Sequence, residues 1–304
     1  MKSPAALRKH KFHIQPSTII LFTVLVIFTI SLFLLLYWGL LASFKSVHDW
    51  EDNKNIFFGW PEKFDLTYYK YIFSSDFKVQ RENSTRFFYP ADFVEVVSNS
   101  FFYAIGCAFF QTLVPCLTAY ACARFDFKFT KIYPIIVIFT MVIPIVGSTA
   151  SEIIMAINLG IYNEIWGLWI MKANFLGIYF LIFHSTFKNL PQTYTEAAKI
   201  DGAGNFRILF RIILPLVAST FGTIFLINFV TYWNDYSTPI LFLKDRPTIF
   251  IAIYRAHMNM GVEGFLSYTP YKIALSLVGI LPTLILFIIF NKKLLGNLTV
   301  GGIK

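Results

Sequence analysis

Residues 18–43 read TIILFTVLVIFTISLFLLLYWGLLAS, and the run from Ile14 to Phe44 contains no Lys, Arg, Asp or Glu. At about 1.5 Å rise per residue, about 20 apolar residues cross the hydrocarbon core of a bilayer, so this stretch is a membrane span. A basic tail (Lys2, Arg8, Lys9, Lys11) precedes it, as in a secretory signal. The apolar run is far longer than the roughly 7–15 residues of a signal core and ends at no clean small-residue cleavage site, so it reads as a retained first span.

Downstream, five more segments qualify or nearly qualify: Val96–Ala123, Tyr133–Ala156, Ile165–Phe187 (interrupted by Lys172), Ile212–Trp233 and Ile273–Asn291. Composition agrees with them. Charged residues make up 14% of the 304 positions and apolar ones 56%, whereas a soluble domain carries roughly 25% charge. The expectation is an all-α membrane protein of about six transmembrane helices, which excludes a soluble enzyme. The net charge of +9 is scattered between apolar runs, which points to cytoplasmic loops rather than to a nucleic-acid partner. Cys107, Cys116 and Cys122 fall inside one apolar run without metal-site spacing and read as packing residues.

Charge orients the spans. With the N-terminus inside, the N-tail, Arg124–Lys131, Lys188–Arg211 and Lys292–Lys304 hold 14 of the 26 Lys and Arg residues and three acids, Asp126, Glu196 and Asp201. Lys and Arg accumulate on the cytoplasmic side, so both termini are expected in the cytoplasm. The organisation is then a cytoplasmic N-tail (1–17), a first helix (18–43), an external loop (44–92), a five-helix core (93–292) with a cytoplasmic loop at 188–211, and a C-tail (293–304). The external loop, rich in aromatics, has no sustained period and reads as a small cap.

The longest inside loop runs Leu190-Pro191-Gln192-Thr193-Tyr194-Thr195-Glu196-Ala197-Ala198-Lys199-Ile200-Asp201-Gly202-Ala203 and continues to Leu214-Pro215. Thr193 and Glu196 have capping-box spacing. Ala197 and Ala198 are strong helix formers that let another surface approach. Gly202 stands where a short helix ends on a left-handed residue, and Asn205–Ile213 leads on into the fifth span. The residues predict helix, turn, helix; taken alone, they also fit a solvated connection between two spans.

Glu196-Ala197-Ala198, Gly202 after three intervening residues, then Ile212 and Leu214-Pro215 resemble the EAA loop of permease subunits of binding-protein-dependent ABC importers, with Asp201 and Ala203 completing its Asp-Gly-Ala. The resemblance extends from about Leu66 to the end. Asn99-Ser100, Ala119 to Arg124, and Trp233-Asn234-Asp235 are similar to the carbohydrate branch, and Gly301-Gly302-Ile303-Lys304 to the tail of the maltose-type second permease. That tail usually has alanine or another small residue where Gly302 stands, and the 44–92 loop is longer and more aromatic than usual.

The resemblance implies the type I ABC importer permease fold in a bacterial cytoplasmic membrane and transport of a carbohydrate, in the first place an oligosaccharide. It also implies a second homologous permease, two ATPase subunits that bind ATP and Mg, and an external solute-binding protein. Glu196, Ala197, Ala198, Asp201, Gly202 and Ala203 would dock on the ATPase, and Gly301, Gly302 and Lys304 would reach the ATPase interface.

The chain itself has no G-x-x-x-x-G-K-[ST] phosphate loop and no His-Glu-x-x-His, and its five histidines do not cluster. No cofactor or enzymatic activity is therefore expected of it. Charges placed in hydrocarbon need a partner or water, which singles out Lys172, Glu152 and Asp235. Lys172 faces either a translocation cavity or, by snorkelling, the interface. Trp233 and Asn234, beside Tyr232 and Tyr236, suit either a sugar path or an interfacial belt. Competing readings are the same machinery for a non-sugar solute, a self-sufficient secondary transporter, and a membrane receptor or scaffold. Clean spans without ion-site carboxylates argue against the secondary transporter.

Overall fold

The computed structural model describes residues 15–52, 59–82, 89–143, 147–260 and 264–300. Gly301, Gly302 and Lys304, and nearly all of the N-tail, lie outside the described residues. In chain order the α-helices are α1 (Pro16–Ser43), α2 (Val47–Asp52), α3 (Thr67–Ile72), α4 (Phe93–Arg124), α5 (Lys128–Val142), α6 (Thr149–Asn158) and α7 (Ile165–Met171). They continue with α8 (Ile178–Asn189), α9 (Thr193–Ile200), α10 (Asn205–Ile208), α11 (Leu214–Trp233), α12 (Ser237–Phe242), α13 (Ile249–His257) and α14 (Thr269–Val300). Helix α14 carries on as helix through residues 293–300, which the sequence assigned to a tail.

Among the described residues, four helical stretches are long and apolar enough to cross a membrane: α1, α4, Asn205–Trp233 and Thr269–Phe290. The first begins with Pro16 at its first position, where the missing N–H would be unbonded in any case. Asp92 caps α4 by accepting the Glu95 N–H at 2.8 Å, and the acidic first turn suits the helix dipole.

The third and fourth expected spans are each broken in two. Tyr133–Ala156 divides into α5 and α6. Ile143, which precedes Pro144, takes extended backbone, as residues before proline do, and Gly147 has φ +84°. Ile165–Phe187 divides into α7 and α8 at Lys172–Gly177. There the Asn174 side chain accepts the Leu176 N–H at 2.8 Å and Gly177 has φ +113°. Lys172 therefore sits at a helix end and not within a continuous span. Glu152 lies in the first turn of α6 and accepts the Ser148 hydroxyl at 2.7 Å.

Helix α4 is the hub, packed against α11, α8 and α7. One apolar cluster includes Tyr103, Ala104, Phe229, Trp233 and Leu275; a second gathers Tyr120, Phe183, Phe187, Ile208 and Val217 nearer the 188–211 loop. Polar side chains cross the α4–α11 contact in pairs. Asn228 donates to the Thr112 hydroxyl at 3.0 Å, and the Tyr232 hydroxyl meets the Gln111 side-chain oxygen. In hydrocarbon such pairs satisfy groups that have no water available. Helix α1 is the exception to this packing. It is exposed all round from Ser17 to Tyr37 and buries only Leu41, Ala42 and Ser43, and it contacts α14.

The described part of the 44–92 loop is fastened to the core. Helix α3 packs on α14, and Val79 and Ala91 form an antiparallel β-bridge. The Arg81 guanidinium, 6% exposed, grips both Glu95 oxygens at 2.6 and 2.8 Å and donates to the Tyr89 carbonyl at 2.8 Å and to the Asp245 carbonyl. Arg255 holds Glu82 at 3.3 Å and the Gln80 carbonyl. Hydrogen bonds to charged groups contribute about 1.5–3 kcal/mol each, so Arg81→Ala should release this strap. Limited proteolysis should then cut residues 76–82 and 89–92 faster while α4 and α11 stay intact; an unchanged cleavage rate would show that Arg81 does not hold the strap.

Candidate functional site: the helix–turn–helix between α8 and α11

The loop is built on the end of α4. Arg124, in the last turn of that helix, donates to the Leu190 carbonyl at 3.0 Å, which fixes where the chain leaves α8. Leu190 takes extended backbone before Pro191, and α9 follows.

The expected capping box is not formed. Gln192 is already helical (φ −68°, ψ −21°), and its carbonyl takes the Thr195 and Glu196 N–H groups at 2.9 and 3.0 Å. The N–H that the Thr193 hydroxyl would have accepted is thus bonded to backbone, and the helix starts without a side-chain cap.

Its far end matches the expectation. Gly202 has φ +74°, its N–H bonds the Lys199 carbonyl at 3.0 Å, and the Ala203 N–H bonds the Ala198 carbonyl at 2.9 Å. This pair of bonds around a left-handed glycine is the Schellman closure. The two alanines face opposite ways. Ala198 is 5% exposed and packs into the cluster with Phe187, Ile208 and Leu209, while Ala197 is exposed with Glu196 and Asp201. Only Ala197 is therefore available for close approach by another surface.

From Asn205 the helix runs without a break to Trp233. One π turn, Leu209–Ile213, lies within it; it turns Ile208, Leu209 and Ile213 inward and joins the loop to α11 as one rod. Periodicity did not reveal this turn, because one extra residue per turn shifts a register without changing composition. The α9 and α10 arms enclose a groove of about 620 Å³ lined by residues including Tyr194, Ala197, Asp201, Arg207 and Arg211. Ile200 and Phe206 are 87% and 80% exposed, an unusual state for large apolar side chains on a polar loop.

At the other end of the rod, the expected cavity residues have different surroundings. Trp233 is 3% exposed, donates its indole N–H to the Gly279 carbonyl at 2.9 Å and stacks on Phe229. It joins α11 to α14 in this conformation. Asn234 is exposed and bonds its own helix at the Val230 carbonyl at 2.7 Å. Lys172 is half-buried at the end of α7.

Asp235, just beyond α11, accepts the Tyr103 hydroxyl at 2.8 Å, both the N–H and the hydroxyl of Ser237 at 2.9 Å, and the Thr238 N–H at 3.1 Å. Burial pushes its pKa up, but the bonds from Thr238, Tyr103 and Ser237 outweigh this and hold it below the usual carboxylate value. It ties α4 to the start of α12.

The larger cavity, about 870 Å³ between α4, α11 and α14, is walled mainly by Phe, Ile, Leu and Ala. The Thr223 hydroxyl in its wall donates to its own helix at Ser219. A sugar would find few hydrogen-bonding groups there. Among the described residues no group of three His, Cys, Asp or Glu is placed to hold a metal.

The chain is 29% identical over 275 residues to the polygalacturonan/rhamnogalacturonan transport system permease protein YtcP of Bacillus subtilis (strain 168), covering 86% of this chain and 89% of that one. It is 27% identical over 253 residues to the melibiose/raffinose/stachyose import permease protein MelC of the same organism, covering 77% and 89%. Its fold matches a chain of a bacterial ABC transporter involved in the import of the acidic polysaccharide alginate, with TM-score 0.73 and 18% identity over 95% of this chain and 99% of that one. Residues 94–292 match the family model for the binding-protein-dependent transport system inner membrane component. This helical core thus carries the family's sequence pattern over residues 94–292, and the chain belongs to the binding-protein-dependent transport system inner membrane components.

Proposed function

We propose that this chain is the permease subunit that moves a carbohydrate, in the first place an oligosaccharide, across the cytoplasmic membrane with both its termini in the cytoplasm. It works with a second homologous permease, two ATPase subunits carrying ATP and Mg, and an external solute-binding protein. The observation that carries this reading is the Schellman-closed α9 joined through Asn205–Trp233 to the α4–α11 core. A short helix held this way transmits a push at the loop into the spans as rigid-body motion. ATPase closure biases one conformation and the loaded binding protein the other, and each does so only through its differential affinity for the two states. Pairing with a second permease is supported by the family to which the chain belongs. The saccharide names of the similar permeases support the substrate class.

Lys172, half-buried at the end of α7, is the cation we place on the translocation path, with Trp233 and Asn234 at the outer end of the rod. A charge-assisted contact contributes about 1.5–3 kcal/mol, so Lys172→Ala should slow transport about tenfold or more without loss of complex. Undiminished transport in proteoliposomes would remove Lys172 from the path.

Affinity purification from mild detergent, with every co-purifying chain identified, tests the whole reading. Recovery of an ATPase, a second permease and a saccharide-binding protein is the expected result. Recovery of this chain alone, still moving solute in liposomes, would overturn it, and a binding protein specific for a non-sugar solute would overturn the substrate class.

A further inference from the structure

We propose that Arg207 and Arg211 form an acid-accepting site in the groove of the 188–211 loop, and that the ATPase subunit seats a carboxylate between them. This rests on the reading of the loop as the ATPase dock and adds the chemistry of what it binds.

Six arginines lie among the described residues, and four of them are engaged within the chain. Arg81 grips Glu95, Arg124 the Leu190 carbonyl, Arg246 Glu164, and Arg255 Glu82 with the Gln80 carbonyl. Arg207 and Arg211 are the other two. Both are exposed, both line the groove, and neither makes a hydrogen bond or ion pair with a described residue.

They stand four residues apart, one on α10 and one in the π turn, and therefore on one side of the rod. Two guanidiniums on one wall of a concavity present a fork that fits a carboxylate or a phosphate.

The rest of the groove favours protein over lipid. Asp201 lines the same concavity and repels a purely anionic headgroup, whereas a protein segment can bring a base to Asp201 along with its acid. Ala197 lines it too, which leaves room for a side chain to enter. Ile200 and Phe206, 87% and 80% exposed, are apolar anchors that a folded partner would bury. The fitting partner surface therefore carries an acidic side chain flanked by apolar ones.

The test uses the full importer in detergent, with Arg207→Ala/Arg211→Ala and Arg207→Lys/Arg211→Lys double variants. Affinity for the ATPase subunits is measured from low to high salt, alongside sedimentation with phosphatidylglycerol vesicles. The alanine pair should weaken ATPase binding about tenfold or more and flatten its salt dependence. The lysine pair should restore much of the affinity, because charge is kept and only the fork is lost. Wild-type ATPase affinity in the alanine pair would overturn the site while leaving the importer reading intact. The same result with loss of vesicle binding would assign the arginines to lipid headgroups instead. A wild-type chain that retains no ATPase would overturn both the site and the reading beneath it.

Discussion

Replacing Gly202 by valine should leave the chain inserted and folded, yet abolish stimulation of ATP hydrolysis by the loaded binding protein. Gly202 holds φ +74°, and no heavy atom lies within 4 Å of the position an added Cβ would take. The penalty is therefore purely conformational. A left-handed residue with a Cβ costs roughly 1–2 kcal/mol, and β-branching makes the position a steric outlier.

The eight residues of α9 are too few to hold a helix by propensity, so loss of the closing bonds from Gly202 and Ala203 unwinds the end that presents Asp201. The spans do not depend on that turn, and membrane insertion should be normal. Gly202→Asn is the control, since asparagine tolerates the left-handed region and should retain most of the coupling. Normal stimulation in the valine variant would contradict a docking role for α9; equal loss in the asparagine variant would place the effect in the missing glycine rather than in the backbone angle.

Gly106→Ala should destabilise the purified chain by about 3 kcal/mol. Gly106 is buried on α4 against Trp169 of α7, and the Cβ of an alanine would overlap the indole ring. Trp169 cannot easily yield. Its indole N–H donates to the Phe102 carbonyl at 3.0 Å, and its ring stacks on Phe110 at 6.3 Å. Overpacking of this kind costs about 1–3 kcal/mol, and displacing the indole removes a hydrogen bond of about 1 kcal/mol. Gly222→Ala is the matched control, because nothing lies within 4 Å of its added Cβ and alanine is the better helix former. Thermal unfolding in detergent should show a clear drop for the first and little change for the second. Equal stability of both would mean that α7 shifts away from α4 at little energetic cost.

Much of this molecule was legible in its residues. The charge-free run at Ile14–Phe44 identifies a span because hydrocarbon excludes charged side chains, a constraint that acts on composition alone. The Gly202 turn was equally readable, since only a residue without Cβ enters the left-handed region freely. The breaks at Ile143 and at Lys172–Gly177 were hidden by hydropathy averaging, although Pro144 and Gly177 stood in plain view. Both residues also occur inside continuous membrane helices, as Pro115 and Pro282 do here.

What the tertiary structure alone decided concerns direction and partnership. Ala197 and Ala198 are neighbours of one type, and only packing against Phe187 and Ile208 turns the second inward. Trp233 read as an interfacial or path-lining aromatic until the Gly279 carbonyl on α14 took its indole N–H. Arg81 is the fastener between the 44–92 loop, α4 and the Asp245 backbone, and no residue beside it in sequence marks it as such. Arg207 and Arg211 look like the other arginines in sequence and differ in having no acceptor within the described chain. Each outcome depends on which group stands opposite across tens to more than a hundred residues of chain. Hydropathy and backbone preference are properties of one residue and its neighbours; hydrogen-bond partners and buried faces are properties of pairs brought together by folding.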